Sequence, residues 1–361
     1  MLARGLEGIV AAETSISLVD GAQGRLIFRG HRAQDLAVRR TFEEVAHLLW
    51  YGTLPGADTL AAFTGSMKEA RTLPASVRLV LDALPADAPM MSVLRTAVSA
   101  IGDARYAWPP TAEQALELTA VLPSIIAYRF RRLQGAPFVE PHPELRHAAN
   151  YLYMLSGEVP SEAHVQALEA YLILTMEHGL NASTFACRVV SSTESDLVSA
   201  VTAGIGAMKG PLHGGAPSEV IAMLEEIGAR ENAEPWIRGK LEQREKLMGF
   251  GHRVYKTMDP RAEALREVTA RLNAEDPWFD FALHVEETAI RLLAEYKPGR
   301  KLYTNVEFFA SAVLKAVRLD PSLFTATFTA SRIVGWTAHV LEQAADNRIY
   351  RPQSVYTGDL P

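Results

Sequence analysis

Four short stretches carry residues whose types and spacing suit carbonyl and carboxylate chemistry. Gly210-Pro211-Leu212-His213-Gly214-Gly215 sets an imidazole among glycines, just before a helix expected from Pro217-Ser218-Glu219 through Val220, Met223, Leu224 and Ile227. Glycines let backbone amides approach a ligand, and a helix start adds unpaired N–H groups beside the ring. Met176-Glu177-His178-Gly179-Leu180-Asn181-Ala182-Ser183-Thr184 places His178 at a helix junction, with Asn181 or Ser183 able to cap the next helix. Met248-Gly249-Phe250-Gly251-His252-Arg253-Val254-Tyr255-Lys256 followed by Asp259-Pro260-Arg261 gathers four potential cations, His252, Arg253, Lys256 and Arg261. Arginine and lysine suit carboxylates and phosphates, arginine through paired hydrogen bonds. No strand precedes this stretch and a third glycine is missing, so it is not a dinucleotide fingerprint. In Thr304-Asn305-Val306-Glu307-Phe308-Phe309 a single acid opens an apolar helix, with Asn305 as its expected cap. A first-turn acid can simply serve the helix dipole; alternatively, its aromatic neighbours desolvate Glu307 and raise its pKa toward that of a general base.

The elements that must hold these groups are nearly all helical. The only clear β signal is an N-terminal hairpin, Ser15-Ile16-Ser17-Leu18-Val19, a turn at Asp20-Gly21, and Arg25-Leu26-Ile27-Phe28. Thr41 and Glu44 form a capping box ahead of the stripe Phe42, Val45, Leu48 and Leu49, which Gly52 ends. Further helices are expected over 59–71, 76–84, 90–101, 111–133, 143–155 and 161–178, with Pro123 kinking or dividing the fourth of these. Ser191-Ser192-Thr193 is expected to start a small-residue helix through Ala200, Ala203 and Ala207. Arg332 falls inside a helix that continues to Ala345. There is no βαβ alternation, repeat or low-complexity tract, and the fold class is all-α.

At 361 residues, 48% hydrophobic and 22% charged, the chain has the composition of a globular enzyme with enough apolar content for two domains. Its net charge of -6 argues against a nucleic-acid or anionic-membrane surface, so an anionic substrate needs a local cationic cluster. The single Cys187 excludes an intrachain disulfide framework and a cysteine-based zinc site, and fits a reducing cytoplasm. Met1-Leu2-Ala3-Arg4-Gly5 lacks the apolar core of a signal peptide, and no apolar run is long enough to span a membrane.

In order and spacing the four stretches resemble the citrate synthase family over nearly the whole chain. The most specific matches are Gly-Pro-Leu-His-Gly-Gly at 210–215 and the segment from Gly249 through His252 to Asp259-Pro260-Arg261. Arg25-Leu26-Ile27-Phe28-Arg29-Gly30, Pro89 to Arg95 and Asn150 to Leu155 also follow the pattern. The resemblance implies a large helical domain (1–216 and 316–361) and a smaller one (217–315), with the active site in the cleft between them. The shortness of the chain resembles the compact bacterial and archaeal dimers of the family.

The resemblance further assigns roles. His178, His252, Arg261 and Arg332 match positions that hold oxaloacetate, and Arg351 matches an arginine reaching the site from the other subunit of a homodimer. Glu307 takes the place of the general base that deprotonates acetyl-CoA. His213 matches the group that stabilises the enol at the thioester oxygen, and His252 would protonate the ketone oxygen. Leu247, Met248, Gly249, Phe250 and Gly251 resemble the segment that recognises adenine, and Lys256 a phosphate contact. Acyl-CoA would be a cosubstrate, with no tightly bound cofactor and no metal. The departure is Glu307, where the family usually has aspartate. A carboxylate set one methylene further out bears on efficiency and acyl preference more than on reaction class. The other readings are a 2-methylcitrate synthase using propionyl-CoA, a lyase cleaving citryl-CoA on the same scaffold, and a weakly active binding or regulatory protein.

Overall fold

The computed structural model describes residues 4–214, 216–251, 255, 257–272, 277–299 and 302–360, and the side chains of these except 216–218, 270–272, 277 and 279. His252, Arg253 and Lys256 therefore lie outside the described residues. The chain opens with a small antiparallel sheet in the order β1 (Ser17–Asp20), β2 (Arg25–Phe28), β3 (His31–Arg32). Ser17 pairs with Phe28 and Asp20 with Arg25, as the hairpin reading expects, while β3 is an addition to it. Asp20 closes the turn by accepting from the amides of Ala22 and Gln23.

Helices make up the rest. α1 (Ala33–Arg39), α2 (Phe42–Tyr51), α3 (Ala57–Glu69), α4 (Ala75–Ala83), α5 (Met90–Ser99) and α6 (Ala112–Leu133) come first. Then follow α7 (His147–Ser156), α8 (Glu162–Thr175), α9 (Ala182–Ser191), α10 (Leu197–Met208) and α11 (Ala216–Ile227). The last are α12 (Ala233–Glu242), α13 (Pro260–Leu272), α14 (Pro277–Tyr296), α15 (Val306–Ala316) and α16 (Phe324–Ala345). The capping box of Thr41 and Glu44 is complete, and Gly52 ends α2 at φ 82°. Asn181 caps α9 and Asn305 caps α15 through their side-chain oxygens.

One expectation is narrowed and another corrected. Of the two outcomes expected at Pro123, division of the helix is excluded: α6 runs unbroken for 22 residues around it. A proline removes only one donor, and Val121, Leu122, Ile125 and Ile126 are buried on both sides of it, so packing holds the helix together. Ser191 ends α9 instead of starting the next helix, and Asp196 caps α10 by accepting from the Ser199 amide.

α16 is the spine of the molecule. Every residue from Ala326 to Val340 is buried, as a helix surrounded by others requires. Two of its threonine hydroxyls return to the helix, Thr327 donating to Leu323 O at 2.9 Å and Thr337 to Ile333 O at 2.8 Å, while Ser331 donates to Leu172 O of α8 at 2.6 Å. The end of α8 presses on it at Gly335, where a Cβ would lie 2.4 Å from Met176 O and 2.4 Å from Glu177 Oε2. Only glycine permits that contact, and its amide donates to Met176 O at 3.1 Å.

Candidate active site

Arg332 projects from the middle of α16 and is 2% exposed. Its Nε donates to Thr175 O at 2.6 Å, and its guanidinium carbon lies 4.7 Å from the Phe328 ring centroid. Among the described residues its two Nη groups have no hydrogen-bond partner, so a buried cation keeps its planar fork for an anion. Burial, and then the nearby charge of Arg261, lower its pKa to about 10, while Glu177, Glu307 and Tyr171 act the other way. It stays charged at neutral pH.

The bond from Arg332 to Thr175 and the Gly335 contact together fix the chain just after α8, where Glu177 and His178 stand. Glu177 is fully buried; its Oε1 accepts from Ser17 Oγ at 2.7 Å, from His339 Nε2 at 3.2 Å and from the Gly179 amide. Burial pushes this carboxyl up, but His339, Ser17 and Arg332 outweigh it and hold it below its usual range. Its neighbour His178 is half-buried, and its Nε2 lies 3.1 Å from Tyr255 Oη with the two rings edge-on at 5.7 Å.

Tyr255 leads to the second guanidinium. Arg261 lies at the start of α13, 4% exposed and 5.8 Å from the Tyr255 ring centroid. Asp259 grips it from two sides, with Arg261 Nε donating at 3.1 Å and Nη2 at 2.9 Å. The same carboxylate accepts from the Val306 amide at 3.1 Å, so Asp259 joins the start of α13 to the start of α15.

Glu307 occupies the first turn of α15. Its side chain is half-buried, and burial raises its pKa; Arg261 and Arg332 pull it back, and Asp259 pushes it further up. The charges of two buried guanidiniums thus both act on this carboxylate. The segment 249–251 clamps this helix start: Asn305 N donates to Gly249 O at 2.9 Å, Gly251 N to Tyr303 O at 2.7 Å, and Asn305 Nδ2 to Gly251 O at 3.0 Å. Gly249 has φ 82°, and a Cβ there would lie 2.9 Å from Phe308 Cδ2. Leu247 and Phe250 are buried, and Met248 and Gly251 half-buried.

His213 follows α10 in a turn closed by its amide on Gly210 O at 2.9 Å. Its Nε2 lies 2.7 Å from Ser183 Oγ, which also receives Trp336 Nε1 at 2.9 Å and contacts Asn181 Oδ1 at 2.8 Å. Burial, then the charge of Arg332, lower the imidazole to about 4, so it is neutral at physiological pH.

His178, His213, Arg261, Glu307 and Arg332 are therefore linked by contacts or by mutual fields, although the sequence separates them by up to 154 positions. Arg351 is not brought to them; it is exposed in the C-terminal tail. Sequence reasoning missed Ser183, Tyr255, Asp259 and Glu177 as members of the site. Asp259 was signalled by its place beside Pro260-Arg261, and Ser183 only as a potential cap. Among the described residues no group of three or more His, Cys, Asp or Glu could hold a metal ion, and no helix is long and apolar enough to cross a membrane.

The family profile described as citrate synthase, C-terminal domain, matches residues 5–353. A citrate synthase from Mycolicibacterium smegmatis is 42% identical over 98% of this chain and 95% of its own length. A 2-methylcitrate synthase from Mycobacterium tuberculosis is also 42% identical, over 98% of this chain and 90% of its own. The solved citrate synthase of Thermoplasma acidophilum, a ternary complex with carboxymethyl coenzyme A and oxaloacetate, superposes with a TM-score of 0.92 at 29% identity, covering 100% of this chain and 97% of that one. With a profile match spanning nearly every residue, close relatives over the full length and the same helical architecture, this chain belongs to the citrate synthase family and is an enzyme of that type.

Proposed function

We propose that the protein condenses acetyl-CoA with oxaloacetate and hydrolyses the resulting citryl thioester to citrate and CoA. The observation that carries this reading is the convergence of two buried guanidiniums, Arg261 and Arg332, on one carboxylate, Glu307, whose basicity they hold in check. Oxaloacetate brings two carboxylates to these cations, and the family resemblance adds His178 and His252 as further contacts to it. Neutralising the arginines removes the charges that depress Glu307, so the base strengthens when the first substrate is seated. Glu307 then takes a proton from the acyl methyl group. A neutral imidazole carries one proton, and the family resemblance assigns His213 to give it in a hydrogen bond to the thioester oxygen as the enol forms. The enol carbon attacks the ketone of oxaloacetate, His252 gives the ketone oxygen its proton, and water cleaves the thioester.

Within the same proposal, residues 247–251 and Lys256 hold CoA. The clamp of 249–251 on the start of α15 supports this, because it would transmit CoA binding directly to Glu307. Arg351 completes the site across a homodimer interface; its exposure in the tail supports that role. Residues 217–315 form the smaller domain and 1–216 with 316–361 the larger, so Glu307 and Arg261 face His178, His213 and Arg332 across a cleft whose closure excludes water. No tightly bound cofactor takes part, and the single buried Cys187 supports a reducing cytoplasm.

Propionyl-CoA is the second acyl substrate to consider, because relatives named citrate synthase and 2-methylcitrate synthase are equally similar. One methylene in an apolar pocket changes selectivity by only about 1–3 kcal/mol. The test is release of CoA thiol from each thioester with and without oxaloacetate. Oxaloacetate-dependent release is the expected result, and its absence with both thioesters refutes the proposal.

A further inference from the structure

A second cavity, of about 860 Å³, opens among α2, α3, α6 and the residues after α5, and it shares no lining residue with the candidate active site. Its size is that of a small-molecule site, on the order of 300–1,000 Å³. One wall is aromatic. His47 and Tyr51 have ring centroids 4.6 Å apart, and Phe63 meets His47 edge-on at 5.4 Å. His47 is 7% exposed, and its Nδ1 lies 2.9 Å from Thr53 O. A carbonyl can only accept, so Nδ1 donates to it. Among the described residues His47 Nε2 has no hydrogen-bond partner.

The charges lining the cavity are three carboxylates and one guanidinium. Arg105 is committed, with its Nε 3.1 Å from both oxygens of Asp103 and its Nη1 3.8 Å from Glu117. Glu117 also accepts from Tyr106 Oη at 3.1 Å. Glu69 and Glu113 remain exposed and have no ion-pair partner among the described residues. Glu113 lines the same cavity as the aromatic wall, and burial and then its charge push the Tyr51 phenol up.

We infer that this cavity binds an organic cation with an apolar body, an amine or quaternary ammonium, at a site separate from the catalytic one. Aromatic faces attract cations, and the two unpaired carboxylates supply the opposite charge. An anion would meet like charges, and a neutral apolar ligand would leave the carboxylates uncompensated.

The test is calorimetric titration of the full chain, at low ionic strength, with benzyltrimethylammonium, its neutral isostere neopentylbenzene, and benzenesulfonate. Expected is saturable binding of the cation alone, one per chain. Affinity should fall about tenfold in the double variant Glu69→Gln/Glu113→Gln and in Tyr51→Leu, the tenfold corresponding to ~1.4 kcal/mol. These positions are exposed and outside the proposed catalytic set, so condensation activity should persist in the variants. No saturation with the cation, equal binding of the neutral or anionic probe, or wild-type affinity in the variants overturns the inference. Absence of binding together with a change of oligomeric state in the variants also overturns it, by identifying the cavity as a contact between copies of the chain. The comparison of the three probes on unmodified protein stands even where a variant fails to fold.

Discussion

Glu307 works against its surroundings: burial favours the neutral acid, and two guanidiniums favour the carboxylate. Since the balance leaves its pKa raised, the acid limb of kcat/KM should lie above the ordinary glutamate value of about 4.3. Activity should be lost as pH falls through that limb, because the protonated acid cannot accept a proton. Glu307→Gln preserves size and removes basicity, so kcat should fall by about 10²–10⁴ while oxaloacetate binding survives. Turnover at the wild-type rate would show that Glu307 is only a helix-start charge. Glu307→Asp withdraws the carboxylate by one methylene, and steady-state kinetics will show whether this backbone is built for the longer side chain. Ser183 is the second residue to test. Ser183→Ala removes the partner of His213 Nε2 and the acceptor for Trp336 Nε1. With each hydrogen bond worth about 1 kcal/mol, kcat should drop about fivefold or more, with the KM for oxaloacetate little changed. An equal loss in thermal stability with unchanged kcat would make Ser183 structural.

Between elements, the decisive contact is the clamp of residues 249–251 on residues 303–305. Gly249→Ala would place a Cβ at 2.9 Å and 3.0 Å from two carbons of Phe308, in a backbone conformation at φ 82° that alanine resists. Strain of about 1–3 kcal/mol is expected, seen as a lowered midpoint of denaturation. Because the displaced residues begin α15, the acetyl-CoA KM should rise and kcat fall together. A destabilised variant with unaltered kinetics would separate the clamp from catalysis. The caps of α2, α9 and α15 were legible in the sequence because a cap depends on residues within one turn. The start of α10 was not, since Ser191-Ser192-Thr193 and Asp196 offer rival caps within six positions and only packing chooses between them. The helices over 233–242, 260–272 and 277–296 escaped the sequence reading altogether.

For the whole molecule, the open question is how Arg351 contributes, since the tail holds it on the surface of its own chain. If it completes the partner's site, mixing Arg351→Ala protein with Glu307→Gln protein should restore activity that neither shows alone. Random exchange makes half of the dimers mixed, and each mixed dimer has one intact site, so recovery should approach about a quarter of the wild-type rate. Subunit exchange is verified by mass spectrometry of the mixture. Exchange without recovered activity would mean that Arg351 serves its own chain or none.

The sequence by itself determined the helical class, the N-terminal hairpin, the family resemblance, and the identity of His178, His213, Arg261, Glu307 and Arg332 as chemically significant. Each of these rests on residue type, local periodicity or spacing along the chain. Only the tertiary structure decided how the groups act on one another. The neutrality of His213 follows from burial and from Arg332, which lies 119 residues away along the chain. The restraint on Glu307 comes from guanidiniums on two other helices, and Arg351 lies exposed in the C-terminal tail. Fields and desolvation depend on distance in space, and a linear sequence carries no direct measure of that distance.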